Sequence, residues 1–192
     1  LDFRSARDPR VPFERSPAND VGFDNATPIF EQGKYASETV PIPVATGVMA
    51  RLMEAELRIR AGDASYLTIL NALRADQTLY PTALPALPTN FTTVFPVLTP
   101  LTDPGTEQGR IDQLFRERAF WNYLTNSRHG DLRRLVRQYG RARDALWPGG
   151  GGRQYVVNGN NKGGTFGNTY VLPVPFDEQN NPQFSQCIST DP

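Results

Sequence analysis

The sequence is short of the residues that most often give a chain covalent or metal-held structure. One cysteine, Cys187, and one histidine, His129, occur in 192 residues. A lone cysteine excludes a disulfide framework within the chain, leaving only a bridge to a segment outside it, and the two scarcities together exclude a Cys-rich zinc site and disfavour a histidine-based metal centre. No metal and no cofactor is expected. An excess of charge is also missing, because 20 basic and 20 acidic side chains cancel. That balance removes the basic footprint of a nucleic-acid binder or a polybasic membrane binder, and no nucleic-acid partner is expected. Nowhere are there the roughly 20 consecutive apolar residues of a spanning helix. The opening Leu1-Asp2-Phe3-Arg4 lacks the basic-then-apolar pattern of a signal peptide. The expectation is a processed or partial piece of a longer polypeptide, touching a bilayer only through an anchor or partner outside these residues.

What is abundant is chain-breaking residues. Glycine, 16, and proline, 17, exceed one residue in six, against 39% hydrophobic residues, which predicts a folded core carrying long irregular segments. Residues 1–43 hold Arg7-Asp8-Pro9-Arg10 and Ser16-Pro17-Ala18-Asn19-Asp20 and end in Val40-Pro41-Ile42-Pro43. So much proline predicts extended chain lying across a surface. From about Val44 the spacing of Val48, Leu52, Ala55 and Ile59 predicts an amphipathic helix that stops at Gly62. Asp63 is placed to cap a second helix with a Tyr66, Ile69, Leu70, Leu73 stripe. The pair, residues 44–75, has the length of one tetratricopeptide-type helical hairpin.

Residues 76–104 are rich in Pro, Thr and Leu and are expected to be a long loop, functional or pinned by another surface. Asp103-Pro104 predicts an N-cap and first helical proline, with Ile111, Leu114, Phe115, Trp121 and Leu124 continuing a helix to about Asn126. Asp131 is expected to cap a shorter helix through Leu132, Leu135, Val136 and Tyr139, closed by Gly140 and completing a helix pair over 105–140. Residues 141–192 form a Gly/Asn-rich tail expected to pack irregularly, with neither strand nor helix.

Patterns for catalysis are missing. There is no nucleophile elbow, and His129, between Arg128 and Gly130, stands in no recognised catalytic setting. The runs Gly149–Gly152 and Gly159–Thr165 lack P-loop spacing and read as surface loops. Glu54 and Glu56 point to different sides of their helix, and no carboxylate pair is singled out, which disfavours a glycosidase. Aromatic rings beside Asn and Gly are more suggestive: Trp147, Tyr155 and Tyr170, with Asn158 and Asn160, form a candidate saccharide platform. The competing reading is that these rings pin the irregular tail onto the helices.

Taken in order, several stretches resemble one family. They are Arg7-Asp8-Pro9-Arg10; Met53-Glu54-Ala55-Glu56 through Ala61-Gly62-Asp63 to Leu70-Asn71-Ala72-Leu73-Arg74-Ala75; and Glu117-Arg118-Ala119-Phe120 followed by Arg128-His129-Gly130-Asp131-Leu132-Arg133-Arg134. The last is Leu172-Pro173-Val174-Pro175-Phe176-Asp177-Glu178 with Asn181-Pro182. Over nearly its whole length the chain resembles the C-terminal half of a SusD/RagB-type protein. The resemblance implies a mainly α fold of tetratricopeptide-like hairpins covered by a large loop-rich subdomain. It also implies a non-enzymatic lipoprotein on the outer face of the outer membrane that passes glycans or other nutrients to a TonB-dependent, SusC-like transporter. The lipid-bearing N-terminal cysteine and the N-terminal repeats of that family are not in these residues, so the missing N-terminal half is an expected partner and would carry the anchor. Arg128, Asp131 and Arg133 are assigned to structure, with Asp131 capping its helix and pairing with a neighbouring guanidinium. A different class of function keeps the fold: a helical scaffold whose long loops dock onto a larger membrane or extracellular assembly.

Overall fold

The structure, a computed structural model, describes residues 3–16, 20–35, 37–81, 96–146, 154–157, 160–165 and 176–184. It is mainly helical and divides into two compact units, Leu1–Arg128 and His129–Pro192.

The first unit is built on three helices. Helix α1 spans Gly47–Arg60, α2 Tyr66–Ala75 and α3 Glu107–Trp121, and α1 packs against both of the others. The apolar stripes meet in one core: Leu52, Ala55 and Ile59 of α1, Tyr66, Ile69, Leu70 and Leu73 of α2, and Ile111, Leu114, Phe115 and Phe120 of α3 are all buried. Helix α1 begins at Gly47 rather than Val44 because Thr46 is its cap, its hydroxyl accepting from Met49 N at 3.1 Å. Gly62, at φ 71°, turns the chain out of α1.

Two expected caps are displaced. Asp63 accepts from Ser65 N at 2.8 Å and pairs with Arg58 at 2.9 Å, so it orders the turn before α2 rather than the helix itself, whose N-cap position is Ser65. At α3 the cap is Thr106, accepting from Gly109 N at 3.1 Å, and not Asp103. Asp103 is taken up instead by Gly105 N at 2.9 Å and by a two-pronged pairing with Arg110 at 2.7 and 2.8 Å. Helix α3 also ends at Trp121, five residues short of Asn126, and Leu124 is exposed. Beyond Trp121, the Thr125 hydroxyl donates to Asn122 O at 2.8 Å and Lys34 donates to Tyr123 O at 2.5 Å. Carbonyls satisfied by side chains no longer favour another helical turn, and Leu124 and Asn126 take positive φ of 57° and 61°.

The proline-rich N-terminal segment is not simply extended. Strands β1, Phe13–Arg15, and β2, Phe30–Gln32, pair antiparallel with Phe13 opposite Gln32 and Arg15 opposite Phe30. The prolines flank the strands, which leaves the ladder its donors. Phe3 fixes the start of the segment on α3, its ring 5.3 Å from Phe120 and 5.1 Å from Tyr123. Residues 76–104 include a 3₁₀ turn, Gln77–Leu79, and their part 96–104 has neither helix nor strand. That part is pinned by side chains: Asn71 bonds both N and O of Leu101 at 2.7 and 3.0 Å, and Gln113 donates to Thr102 O at 2.9 Å. The middle of the loop, 82–95, lies outside the described residues.

The second unit holds α4, Arg128–Arg137, which begins at the boundary, then α5, Arg143–Leu146, and α6, Phe176–Gln179. Leu132 and Leu135 are buried, and Gly140 at φ 63° closes α4 with Arg141 N bonded to Leu135 O at 2.9 Å. Asp131 does not cap α4: it lies inside the first turn, buried, where a carboxylate still faces the positive end of the helix. The tail departs from the expectation of no regular structure. Strands β3, Gln154–Val157, and β4, Asn160–Thr165, pair antiparallel with Val157 opposite Asn160.

Candidate functional site

The polar feature buried deepest in the first unit joins residues far apart in sequence. Asp8, Arg10, Arg74 and Glu117 are each at least nine-tenths buried. Arg10 Nε donates to Asp8 Oδ1 at 2.8 Å, and its Nη2 donates to Asp8 Oδ2 at 2.6 Å. Its Nη1 reaches Glu117 Oε2 at 2.5 Å, and Arg74 Nη1 reaches Glu117 Oε1 at 2.7 Å. Arg74 also donates through Nε to Thr99 O at 2.8 Å, and the Tyr80 hydroxyl donates to Arg74 O. Two cations and two anions leave the cluster neutral, and the planar guanidinium of Arg10 stacks 5.1 Å from the Phe120 ring and 5.0 Å from that of Trp121. Burial alone would lower the Arg10 pKa, but its hydrogen bonds to Asp8 and the charge of Glu117 outweigh it and hold the group above its ordinary value.

These residues are scattered over the sequence, which does not pair them, although a signal for the network is present. Glu117 stands three residues after Leu114 and four before Trp121, and Arg74 four after Leu70, so each puts a charge on an apolar stripe. A charge at such a position must find a partner inside the fold. Chemically the cluster is closed. Both carboxylates are committed to guanidinium donors, which suits them to holding the N-terminal segment on α2 and α3 rather than to moving protons.

Beside this cluster opens a cleft of about 170 Å³. Val48, Met49, Leu79 and Trp121 give it an apolar wall, and Lys34, Thr46, Asn122 and Thr125 supply polar groups. Lys34 is half-buried, donates to the Tyr123 carbonyl, and has no carboxylate partner among the described residues. Burial pulls its pKa down to about 8. The Trp121 indole Nε1 is buried and has no acceptor among the described residues.

Of the residues expected to form a saccharide platform, Tyr155 lies on β3 and Asn160 on β4 of the one hairpin. Trp147, Asn158 and Tyr170 lie outside the described residues, as does Cys187. Asp131 pairs with Arg134 at 3.4 Å, while Arg133 is half-buried on the same helix and Arg128 is its first residue. His129 is exposed. Among the described residues no group of three or more His, Cys, Asp or Glu could hold a metal ion, and no helix is long and apolar enough to cross a membrane.

Comparison with protein-family models, with curated proteins and with solved structures returns no match.

Proposed function

We propose that the chain is the C-terminal half of a SusD/RagB-type nutrient-capture protein, non-catalytic and held on the outer face of the outer membrane by a lipid anchor outside these residues. It would receive oligosaccharides or other nutrients and pass them to a TonB-dependent, SusC-like transporter. One observation carries this reading. Three stretches on which the family resemblance rests meet in a single buried network: Arg7-Asp8-Pro9-Arg10 through Asp8 and Arg10, Leu70–Ala75 through Arg74, and Glu117–Phe120 through Glu117. Short motifs scattered over a chain are individually weak, but motifs that must occur together to neutralise one buried site are a single constraint. On this reading α1 and α2 are one tetratricopeptide-like unit, the long loops belong to the loop-rich subdomain, and Trp147, Tyr155, Asn158, Asn160 and Tyr170 bind the ligand.

Binding of the full chain to an oligosaccharide array, followed by calorimetry on the glycans retained, tests it. The reading expects at least one class of glycan to bind and Trp147→Ala or Tyr155→Ala to weaken binding about tenfold, the loss of one stacked ring being on the order of 1–1.5 kcal/mol. A folded chain that retains no glycan, or binds equally well without both rings, contradicts capture through this segment.

A further inference from the structure

The cleft at Lys34 is used by none of the foregoing. Its polar groups are unevenly matched. The Lys34 ammonium has three N–H donors, of which one is spent on Tyr123 O. The Thr46 hydroxyl accepts from Met49 N and keeps its own O–H. The ammonium of Lys34 therefore offers the cleft donors that a ligand with a strong acceptor would satisfy. Its field has the same sign. Val48 and Met49, in the first turn of the 14-residue helix α1, line the cleft, and no acidic side chain lies in that turn. The backbone N–H groups and dipole at that end add positive potential to the charge of Lys34.

Size and charge narrow the class. Arg10 also lines the cleft, but its charge is already balanced by Asp8 and Glu117, so among the described residues Lys34 supplies the cleft's one uncompensated charge. One such cation matches a monoanion better than a phosphate dianion. The volume of about 170 Å³ compares with the roughly 150 Å³ dry cavity that admits a benzene ring, and the apolar wall suits a hydrocarbon body rather than a hydroxyl-rich one.

We propose that this cleft binds a small monocarboxylate, its carboxylate on Lys34 and its ring-sized apolar body against Val48, Met49, Leu79 and Trp121. The proposal is independent of nutrient capture by the β3–β4 segment, and either can fail without the other.

Trp121 is a built-in reporter, since Trp147 is the only other tryptophan. In a Trp147→Phe background, fluorescence of the full chain is followed during titration with cyclohexanecarboxylate and, separately, with its neutral isostere cyclohexanecarboxamide. The expected result is a saturable change with the acid at a Kd between about 10 μM and 1 mM, within the range for so few heavy atoms. The amide should bind at least tenfold more weakly, and Lys34→Met should weaken the acid by a similar factor with an unchanged circular dichroism spectrum. Absence of saturable binding of the acid up to about 20 mM overturns the proposal, as do equal affinities for acid and amide. If Lys34→Met does not fold, the acid–amide comparison in the Lys34 protein decides. Unaltered acid binding in a folded Lys34→Met protein reduces Lys34 to a tether for the end of α3 and also overturns the assignment.

Discussion

Replacing Glu117 by glutamine barely changes the shape of the buried network but removes one of its two negative charges. In the folded chain Glu117 accepts from Arg10 at 2.5 Å and from Arg74 at 2.7 Å, with its side chain and that of Arg10 each only 2% exposed. Glutamine keeps one carbonyl acceptor and presents an NH₂ to a guanidinium, so two buried cations are left facing Asp8 as their single anion. Breaking a buried ion pair by removing one partner costs about 3–5 kcal/mol, because the surviving charge stays desolvated. For a chain of 192 residues that corresponds to a fall in Tm of about 6–20 °C. Glu54 provides the comparison. It pairs with Arg51 and Arg58 on the surface of α1, where side chains are a third to a half exposed, and Glu54→Gln should cost roughly 0–1 kcal/mol. Urea unfolding in the Trp147→Phe background, read by Trp121 fluorescence, isolates the first unit from the second. If Glu117→Gln falls within about 1 kcal/mol of the parent, the network does not hold the N-terminal segment and the reasoning fails.

Three further outcomes follow from the geometry. A Cβ on Gly109 would lie 2.8 Å from Pro104 Cβ, so Gly109→Ala should lower stability by about 1 kcal/mol despite better helix propensity, the clash outweighing it. Nothing lies within 4 Å of the corresponding atom at Gly130, and Gly130→Ala should instead raise stability by about 0.5–1 kcal/mol; paired thermal melts with the opposite order contradict both assignments. The hydrogen bonds from Arg110, with that from Gly105 N, hold the Asp103 carboxyl down at about 2. A carboxyl depressed in the folded state stabilises above its unfolded pKa, so the advantage of the parent over Asp103→Asn should be full above about pH 4 and shrink as pH falls toward 2; a difference independent of pH refutes it. Lys34 works in the opposite direction. Its pKa is lowered by burial to about 8, so between about pH 8 and 10.5 the unfolded chain binds more protons and stability should rise with pH. Lys34→Met should lack that rise, and a parallel pH profile for the two proteins argues that the ammonium is not desolvated.

The three long helices of the first unit were legible because each buries a stripe at helical spacing: Leu52, Ala55 and Ile59, then Tyr66, Ile69, Leu70 and Leu73, then Ile111, Leu114 and Phe115. Their ends were less so. Asp103 and Thr106 are both good caps, and Asp103 is drawn away by Arg110, seven residues on, a competitor that local spacing does not rank. Just past the end of α3 the Tyr123 carbonyl is taken by Lys34, 89 residues away, a partner that local spacing does not reveal. The hairpin of β3 and β4 was missed although its signal was local. Val157 and Asn160 are partners with only Asn158-Gly159 between them in sequence, a dipeptide strongly favoured in two-residue hairpin loops. Its glycine and asparagine content fits a surface loop equally well. The charge network was hidden for another reason: Arg10 and Glu117 are 107 residues apart, and nothing in either neighbourhood names the other.

The nutrient-capture reading is tested most directly by what the native polypeptide is bound to in its membrane. Outer membranes solubilised in mild detergent, with the polypeptide isolated through a C-terminal tag and its partners quantified by mass spectrometry, should yield a TonB-dependent β-barrel in near-equal amount, and a lipidated cysteine on the polypeptide's N-terminal part. Isolation of the polypeptide from the soluble fraction, or from the membrane with no such barrel, contradicts it.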